Sequence, residues 1–126
     1  MPRTTAVSFL IVCAWCVVGC SSNLSRAITA FDSADHPKAM EHLLDAEVGL
    51  SKRSTSHRAR YALYRGLTHL SLGDRESAER WLAEAKAFLD ADQRVLGANE
   101  SGRLLAAWVA TGHEPGEWGR DVLRRR

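Results

Sequence analysis

Apolar residues recur every three or four positions along most of the chain after residue 23, which is the spacing of one face of an α-helix. No segment alternates apolar and polar residues for long enough to form a strand. The pattern therefore predicts an all-α fold of about six helices. The clearest series belongs to the fourth predicted helix and consists of Ala78, Trp81, Leu82, Ala85, Phe88 and Leu89.

Turn and capping residues divide this pattern into helices. Asp35 and Pro37 predict the start of the second helix, and Gly49 predicts its end. The third helix is expected over about residues 56–72, and Gly73-Asp74 ends it and starts the fourth. Two antiparallel helices with such a short corner form an αα-hairpin.

The last third of the chain is less regular. Its apolar residues predict a fifth helix from Val95 to about Ala110, although two glycines lie inside it. A break near residues 96–99 is the alternative. A short last helix is expected to begin at Pro115, and its inward residues are expected to be Trp118, Val122 and Leu123.

The N-terminal segment has the features of an export signal. Arg3 precedes an almost wholly apolar run over residues 6–18. This run is well short of the roughly 20 residues that a membrane-spanning helix needs. Cys13 and Cys16 lie within it without the polar neighbours that a metal or redox site requires.

Val17-Val18-Gly19-Cys20 at the end of this run resembles a bacterial lipobox. In lipoproteins a diacylglycerol group is attached to the cysteine thiol, and a peptidase then cleaves before that cysteine. The resemblance implies that residues 1–19 are removed and that acylated Cys20 becomes the first residue of the mature protein. Residues 20–23 would then form a short tether, and residues 24–126 would form the domain. A plain signal peptide cleaved elsewhere is the alternative.

Charge and cysteine content limit what the mature chain can do. Of 17 Lys and Arg residues only Arg3 lies in the removed segment, which leaves 16 against 15 Asp and Glu. Nucleic acid is therefore not an expected partner, because phosphate binding needs a surplus of positive charge. With Cys20 acylated, no free thiol remains for a disulfide, so one small packed domain is expected.

Residues of the third and fourth predicted helices have the spacing of the tetratricopeptide repeat, and the chain over about residues 59–92 resembles one such helix hairpin. The matching residues are Gly66, Gly73, Ala78, Leu82 and Ala85. A weaker copy lies 39 residues earlier and consists of Ala27, Ala39, Leu43 and Ala46. Residues 93–126 would form a divergent third hairpin or a capping pair. A generic helical bundle is the alternative, since Arg65 and His69 depart from the family pattern and no proline closes a repeat.

The resemblance implies that the first helix of each hairpin lines a surface that binds a partner protein. On the better repeat this predicts a partner groove at Arg60, Leu63, Leu67 and Leu70. The alternative is that the three leucines are core residues.

The sequence contains no set of residues that indicates catalysis or a metal. Its five histidines form no close metal-binding group, and no nucleophile motif is present. His69 is expected to be partly buried and to serve packing rather than catalysis. We therefore predict no catalytic residue, no metal and no cofactor besides the lipid on Cys20. Arg124-Arg125-Arg126 is interpreted as a solvated tail, with contact to anionic lipid as the alternative.

Together these features predict a bacterial lipoprotein with a tetratricopeptide-like array that acts as an adaptor or assembly factor in the cell envelope, in secretion, pilus or outer-membrane machinery. Its expected partners are the membrane, through the lipid, and one or more envelope proteins. The residue after Cys20 is Ser21 rather than the aspartate that retains many lipoproteins in the inner membrane. The outer membrane facing the periplasm is therefore favoured. The alternatives are a periplasmic enzyme, an enzyme-inhibitor module and a purely structural spacer.

Overall fold

A computed structural model describes residues 22–125, in which six α-helices and no strand are present. The helices are α1 (Asn23–Asp32), α2 (His36–Glu47), α3 (Thr55–Ser71), α4 (Arg75–Ala91), α5 (Ala98–Ala110) and α6 (Gly116–Arg124), with a short 3-10 turn at Leu50–Lys52. The predicted all-α class is confirmed. The export signal and Cys20 lie outside the described residues, so the predictions made for them are not tested by the structure.

Capping side chains determine where the first four helices begin. Each of these helices follows a residue whose side-chain oxygen accepts a hydrogen bond from the backbone N–H three positions later. The four residues are Ser22, Asp35, Ser54 and Asp74. The starts predicted at Asp35 and Asp74 are therefore confirmed.

The first helix of each hairpin ends in the same way, at positions 39 residues apart. The left-handed residues that follow α1, α3 and α5 are Ala34 (φ 60°), Gly73 (φ 82°) and Gly112 (φ 91°). In each case the N–H of the next residue bonds to the carbonyl five residues earlier, at 2.9, 2.9 and 3.1 Å. This is the Schellman ending, which satisfies carbonyls left free at a helix terminus. The three hairpins therefore share the ending of their first helix.

The hairpins pack side by side as an array. Helix α1 packs on α2, α3 on α4 and α5 on α6, and neighbouring hairpins meet through α2–α3 and α4–α5. The first helices also contact one another, through α1–α3 and α3–α5, whereas α2 and α4 make no contact of similar extent. The array therefore curves so that α1, α3 and α5 lie on its inner side.

Small residues and leucines at repeated positions form the interfaces within the first two hairpins. Leu43 of α2 and Leu82 of α4 are 39 residues apart, and neither has any exposed surface. Leu82 packs closely on Gly66 of α3, and Ala27 and Leu43, both buried, hold the equivalent positions of the first hairpin. Removal of each of these leucines from water contributes about 1.5–3 kcal/mol to folding.

The third hairpin reverses this arrangement. Leu105 of α5 lies 39 residues after Gly66, so the large residue is now on the first helix. A Cβ placed on Gly119 of α6 would be only 3.2 Å from Cδ1 of Leu105, so the small residue is now on the second helix. The same close packing is thus achieved with the two residue types exchanged.

Two sequence predictions about this hairpin are corrected. The fifth helix begins at Ala98 rather than Val95, as in the alternative with a break. Asp92 causes the break, because its backbone carbonyl accepts the N–H of Val95 and its carboxylate accepts that of Arg94. Leu123 is 59% exposed rather than inward, because only one face of the nine-residue α6 meets the array and Val122 occupies that face.

Candidate functional site: the inner face of the first helices

The four residues predicted to form a partner groove differ in exposure. Leu63 has no exposed surface and Leu67 is 8% exposed, and both belong to the hydrophobic core. Leu70 is partly buried against that core, whereas the Arg60 side chain is 38% exposed. The alternative interpretation, in which the leucines are core residues, thus describes Leu63 and Leu67. The accessible part of the inner face is polar and aromatic.

Arg103 of α5 is the centre of this face, because it joins all three first helices. Its Nη1 atom lies 2.8 Å from a carboxylate oxygen of Asp32 at the end of α1. The same nitrogen donates to the hydroxyl of Tyr64 on α3 at 3.3 Å. The guanidinium also lies 5.8 Å from the ring centroid of Phe31 and 5.7 Å from that of Tyr64, within range of cation–π attraction.

The two rings beneath Arg103 are themselves in contact. Phe31 and Tyr64 meet edge to face, with centroids 5.8 Å apart and an interplanar angle of 75°. Burial raises the pKa of Tyr64, and nearby Arg103 opposes that rise. For Arg103, burial acts to lower the pKa, but the hydrogen bond to Asp32 and neighbouring charges outweigh burial and raise it. Tyr64 therefore remains a neutral phenol and Arg103 a cation at neutral pH.

A second ion pair crosses the same face between α3 and α5. Nε of Arg60 donates to a carboxylate oxygen of Glu100 at 3.0 Å, and the Glu100 side chain is only 17% exposed. The inner face therefore carries two cation–anion pairs, each linking first helices of different hairpins. These four residues are Asp32, Arg60, Glu100 and Arg103.

Two arginines of this face remain open to further contacts. Arg103 and Arg60 keep 31% and 38% of their side chains exposed, so each can donate further hydrogen bonds. Arginine and tyrosine are also the residue types that most often dominate the energetics of protein interfaces. Within residues 22–125 no group of three or more His, Cys, Asp or Glu could hold a metal ion.

His69, which the sequence suggested as a packing residue, lies in a separate network on the other side of α3. Its Nε2 accepts a hydrogen bond from Nε of Arg65 at 3.0 Å, and its Nδ1 lies 3.3 Å from a carboxylate oxygen of Asp74. The same arginine donates to the hydroxyl of Tyr61 at 2.7 Å and pairs with Glu47 at 3.2 Å.

Both ring nitrogens of His69 are therefore engaged by neighbouring side chains. Its side chain is 14% exposed, and burial and then the charge of Arg65 lower its pKa, so the neutral ring is favoured. The lone pair that a general base would need is directed at Arg65. This geometry favours the packing role expected for His69. Asp74 both caps α4 and orients the imidazole, and hydrogen bonds from Ser77 lower the pKa of its carboxyl group.

Sequence reasoning missed Arg103, Asp32, Tyr64 and Glu100. One signal could have found part of this set: Tyr64 and Arg103 are 39 residues apart and therefore occupy the same position of successive hairpins. Extending the repeat spacing into the third hairpin would have placed them side by side.

Comparison of the chain with protein-family models, curated proteins and solved structures found no match. Of the helices within residues 22–125, none combines the length and the apolar character needed to cross a membrane.

Proposed function

We propose that this protein is a bacterial lipoprotein that binds an envelope protein through the inner face of its helix hairpins. The observation that carries the proposal is Arg103, a partly exposed arginine held over two aromatic rings and bonded to the other two first helices. Its side chain is already ordered, so a partner that binds it loses little further conformational entropy.

The chemistry of the face indicates the kind of partner. Cations and anions alternate across it, and the buried surface beneath them is apolar. An extended segment or helix that carries both carboxylate and basic side chains is the best match, since electrostatic complementarity favours such a partner over one with a single sign of charge. We propose that the array is a short tetratricopeptide-like adaptor of this kind.

The proposed anchor is the acylated thiol of Cys20. It is supported by the lipobox resemblance of Val17 to Cys20 and by the short distance along the chain to α1, which starts at Asn23. Three extended residues span on the order of 10 Å, so the array would be held at the lipid surface. Placement at the outer membrane, facing the periplasm, is part of the same proposal.

Replacement of Cys20 tests the anchor. In the Cys20→Ser variant we expect no acyl mass on the protein, retention of residues 1–19, and loss from the membrane fraction in which the wild-type protein is found. Cys16→Ser is the matched control, because it removes a thiol from the apolar segment without touching the lipobox cysteine. Normal processing of Cys20→Ser would contradict the anchor.

A further inference from the structure

The two ends of the hairpin array differ in charge. One end, here called the anchor-side end, consists of residues 22–23, 48–58, 92–98 and 124–125, where the described chain begins and the connectors between hairpins lie. It contains six basic residues and one acidic residue. The opposite end, over residues 32–38, 72–78 and 111–117, contains six acidic residues and two basic ones. The connecting segments at the two ends of the array therefore carry opposite net charge, and Asp45, Glu47 and Asp90 lie in the last turns of α2 and α4 next to the anchor-side end.

Contacts between the segments show that the anchor-side end is one continuous surface. Ser22, Asp45, Val48, Arg53 and His57 line a single cleft beside the first residues of α1. The hydroxyl of Ser56 donates to the carbonyl of Val95 at 2.9 Å. Beyond that connector, a guanidinium nitrogen of Arg125 donates to the side chain of Gln93 at 2.8 Å. These contacts connect the start of α1 to the end of α6.

The basic residues of this surface point outward. Lys52 and Arg53 are exposed on the 3-10 turn and its end, and the Arg94 side chain is 92% exposed. Among the described residues, neither Lys52 nor Arg53 forms an ion pair, whereas Nε of Arg94 lies 3.5 Å from a carboxylate oxygen of Asp92. Val48 lines the same cleft as Arg53 and the start of α1 and is 86% exposed, the highest value among the large hydrophobic residues of the described chain.

From these observations we infer that the anchor-side end docks on an anionic lipid surface, with Lys52, Arg53 and Arg94 beside the headgroups and Val48 in the interface. The chain before residue 22 carries the apolar segment and Cys20, and it enters the array at this end. Basic residues next to a membrane anchor are attracted to anionic headgroups, and an apolar side chain beside them adds burial. The inference rests on the proposed anchor for the position of residue 20 at the bilayer.

This docking fixes an orientation. The acidic end would face away from the bilayer, and the inner face with Arg103 would stand roughly perpendicular to it, open to a partner at the membrane surface. A single flexible tether would not impose this orientation, because it restrains position but not rotation.

Amide hydrogen exchange of the full chain on vesicles tests the inference. The protein is bound to vesicles of phosphatidylcholine alone or with about 30% phosphatidylglycerol, a charged fraction high enough to give a negative surface potential. We expect exchange over residues 48–56 and 92–97 to slow several-fold on the anionic vesicles only. At 1 M salt the protection should disappear, because the Debye length falls to about 3 Å.

Two charge-reversal variants make the test specific. Lys52→Glu/Arg53→Glu should lose the protection, and Lys38→Glu/Arg80→Glu, with the same change in net charge near the opposite end, should keep it. Unchanged exchange within α3 would verify that both variants are folded. Three results would overturn the inference. They are protection that does not depend on lipid charge, protection that is equal in both variants, and protection located at residues 72–78.

The result separates this inference from the anchor itself. A chain that floats with both kinds of vesicle but shows no protection of the anchor-side end contradicts the docking alone. Absence of an acyl group on Cys20 in protein isolated from membranes contradicts the anchor alone, and a chain that floats with neither kind of vesicle contradicts both.

Discussion

Gly66 of α3 and Leu82 of α4 are so close that no other residue fits at position 66 without movement. A Cβ on Gly66 would lie 2.8 Å from both Cγ and Cδ2 of Leu82 and 3.1 Å from its backbone nitrogen. The last of these distances cannot be relieved by a side-chain rotation. The hairpin that carries the inner face therefore depends on a glycine in the middle of a helix, where its intrinsic cost is about 1 kcal/mol relative to alanine.

We predict that Gly66→Ala destabilises the protein by about 1–3 kcal/mol, because overpacking outweighs the gain in helix propensity. In a Leu82→Ala background, which itself costs about 2–5 kcal/mol, the same substitution should cost clearly less, because only the 3.1 Å contact with the backbone nitrogen of residue 82 remains. Urea unfolding of the four proteins measures this difference between the two backgrounds. Equal effects of Gly66→Ala in the two backgrounds would show that the close approach is not what limits position 66.

The repeated helix endings give a second prediction. Ala34 has a φ of 60° where the equivalent residues of the other hairpins are Gly73 and Gly112. Ala34→Gly should raise the free energy of unfolding by about 1 kcal/mol, because the left-handed conformation strains any residue with a Cβ. Gly73→Ala should lower it by a similar amount.

Ala30→Gly, within α1, is the matched control for Ala34→Gly, since glycine in a helix interior costs about 1 kcal/mol. Thermal unfolding of the three variants tests the assignment. Destabilisation by both alanine-to-glycine changes would be inconsistent with a left-handed residue at position 34.

The pH dependence of stability follows from two histidines. Burial lowers the pKa of His69, with Arg65 as the next cause, and burial followed by Arg53 and Arg60 lowers the pKa of His57. The unfolded chain then binds more protons than the folded one. The contribution of the two neutral imidazoles to stability is therefore complete above pH 6.5, the ordinary pKa of histidine, and is lost as the pH falls below it.

We expect the unfolding midpoint to fall as the pH is lowered from 7 to 5, and His69→Gln to reduce that fall. Glutamine can still accept the hydrogen bond from Arg65, so the network is largely retained. Replacement of His57 as well should flatten the profile further. Denaturant titrations at several pH values provide the measurement, and an identical pH profile for wild type and His69→Gln would refute the assigned role of this imidazole.

Local rules explain which parts of the fold could be predicted. The caps at Asp35 and Asp74 and the small residue facing Leu82 depend on neighbours within one hairpin, so the sequence spacing was sufficient to identify them. The third hairpin was less clear because Leu105 holds the position of Gly66 there, and the close approach is made at Gly119 of α6 instead.

The candidate site depended on contacts between hairpins, which spacing within one hairpin cannot show. Leu63 and Leu67 are buried on the first helix of the middle hairpin, which packs on α4 of its own hairpin and on helices of both flanking hairpins. The pairing of Arg103 with Asp32 joins the first and third hairpins. Such a contact becomes visible only when the stacking of all three units is known.

The most direct test of the proposed adaptor is site-specific photo-crosslinking in the native envelope. A photoreactive amino acid replaces Ala106, which is exposed one turn after Arg103 on α5, or Leu44, which is 50% exposed on the second helix α2. We predict a discrete protein adduct from position 106, its loss when Arg103→Glu is added, and no such adduct from position 44. Adducts from position 44 alone, or no adduct from position 106, would contradict a partner on the inner face.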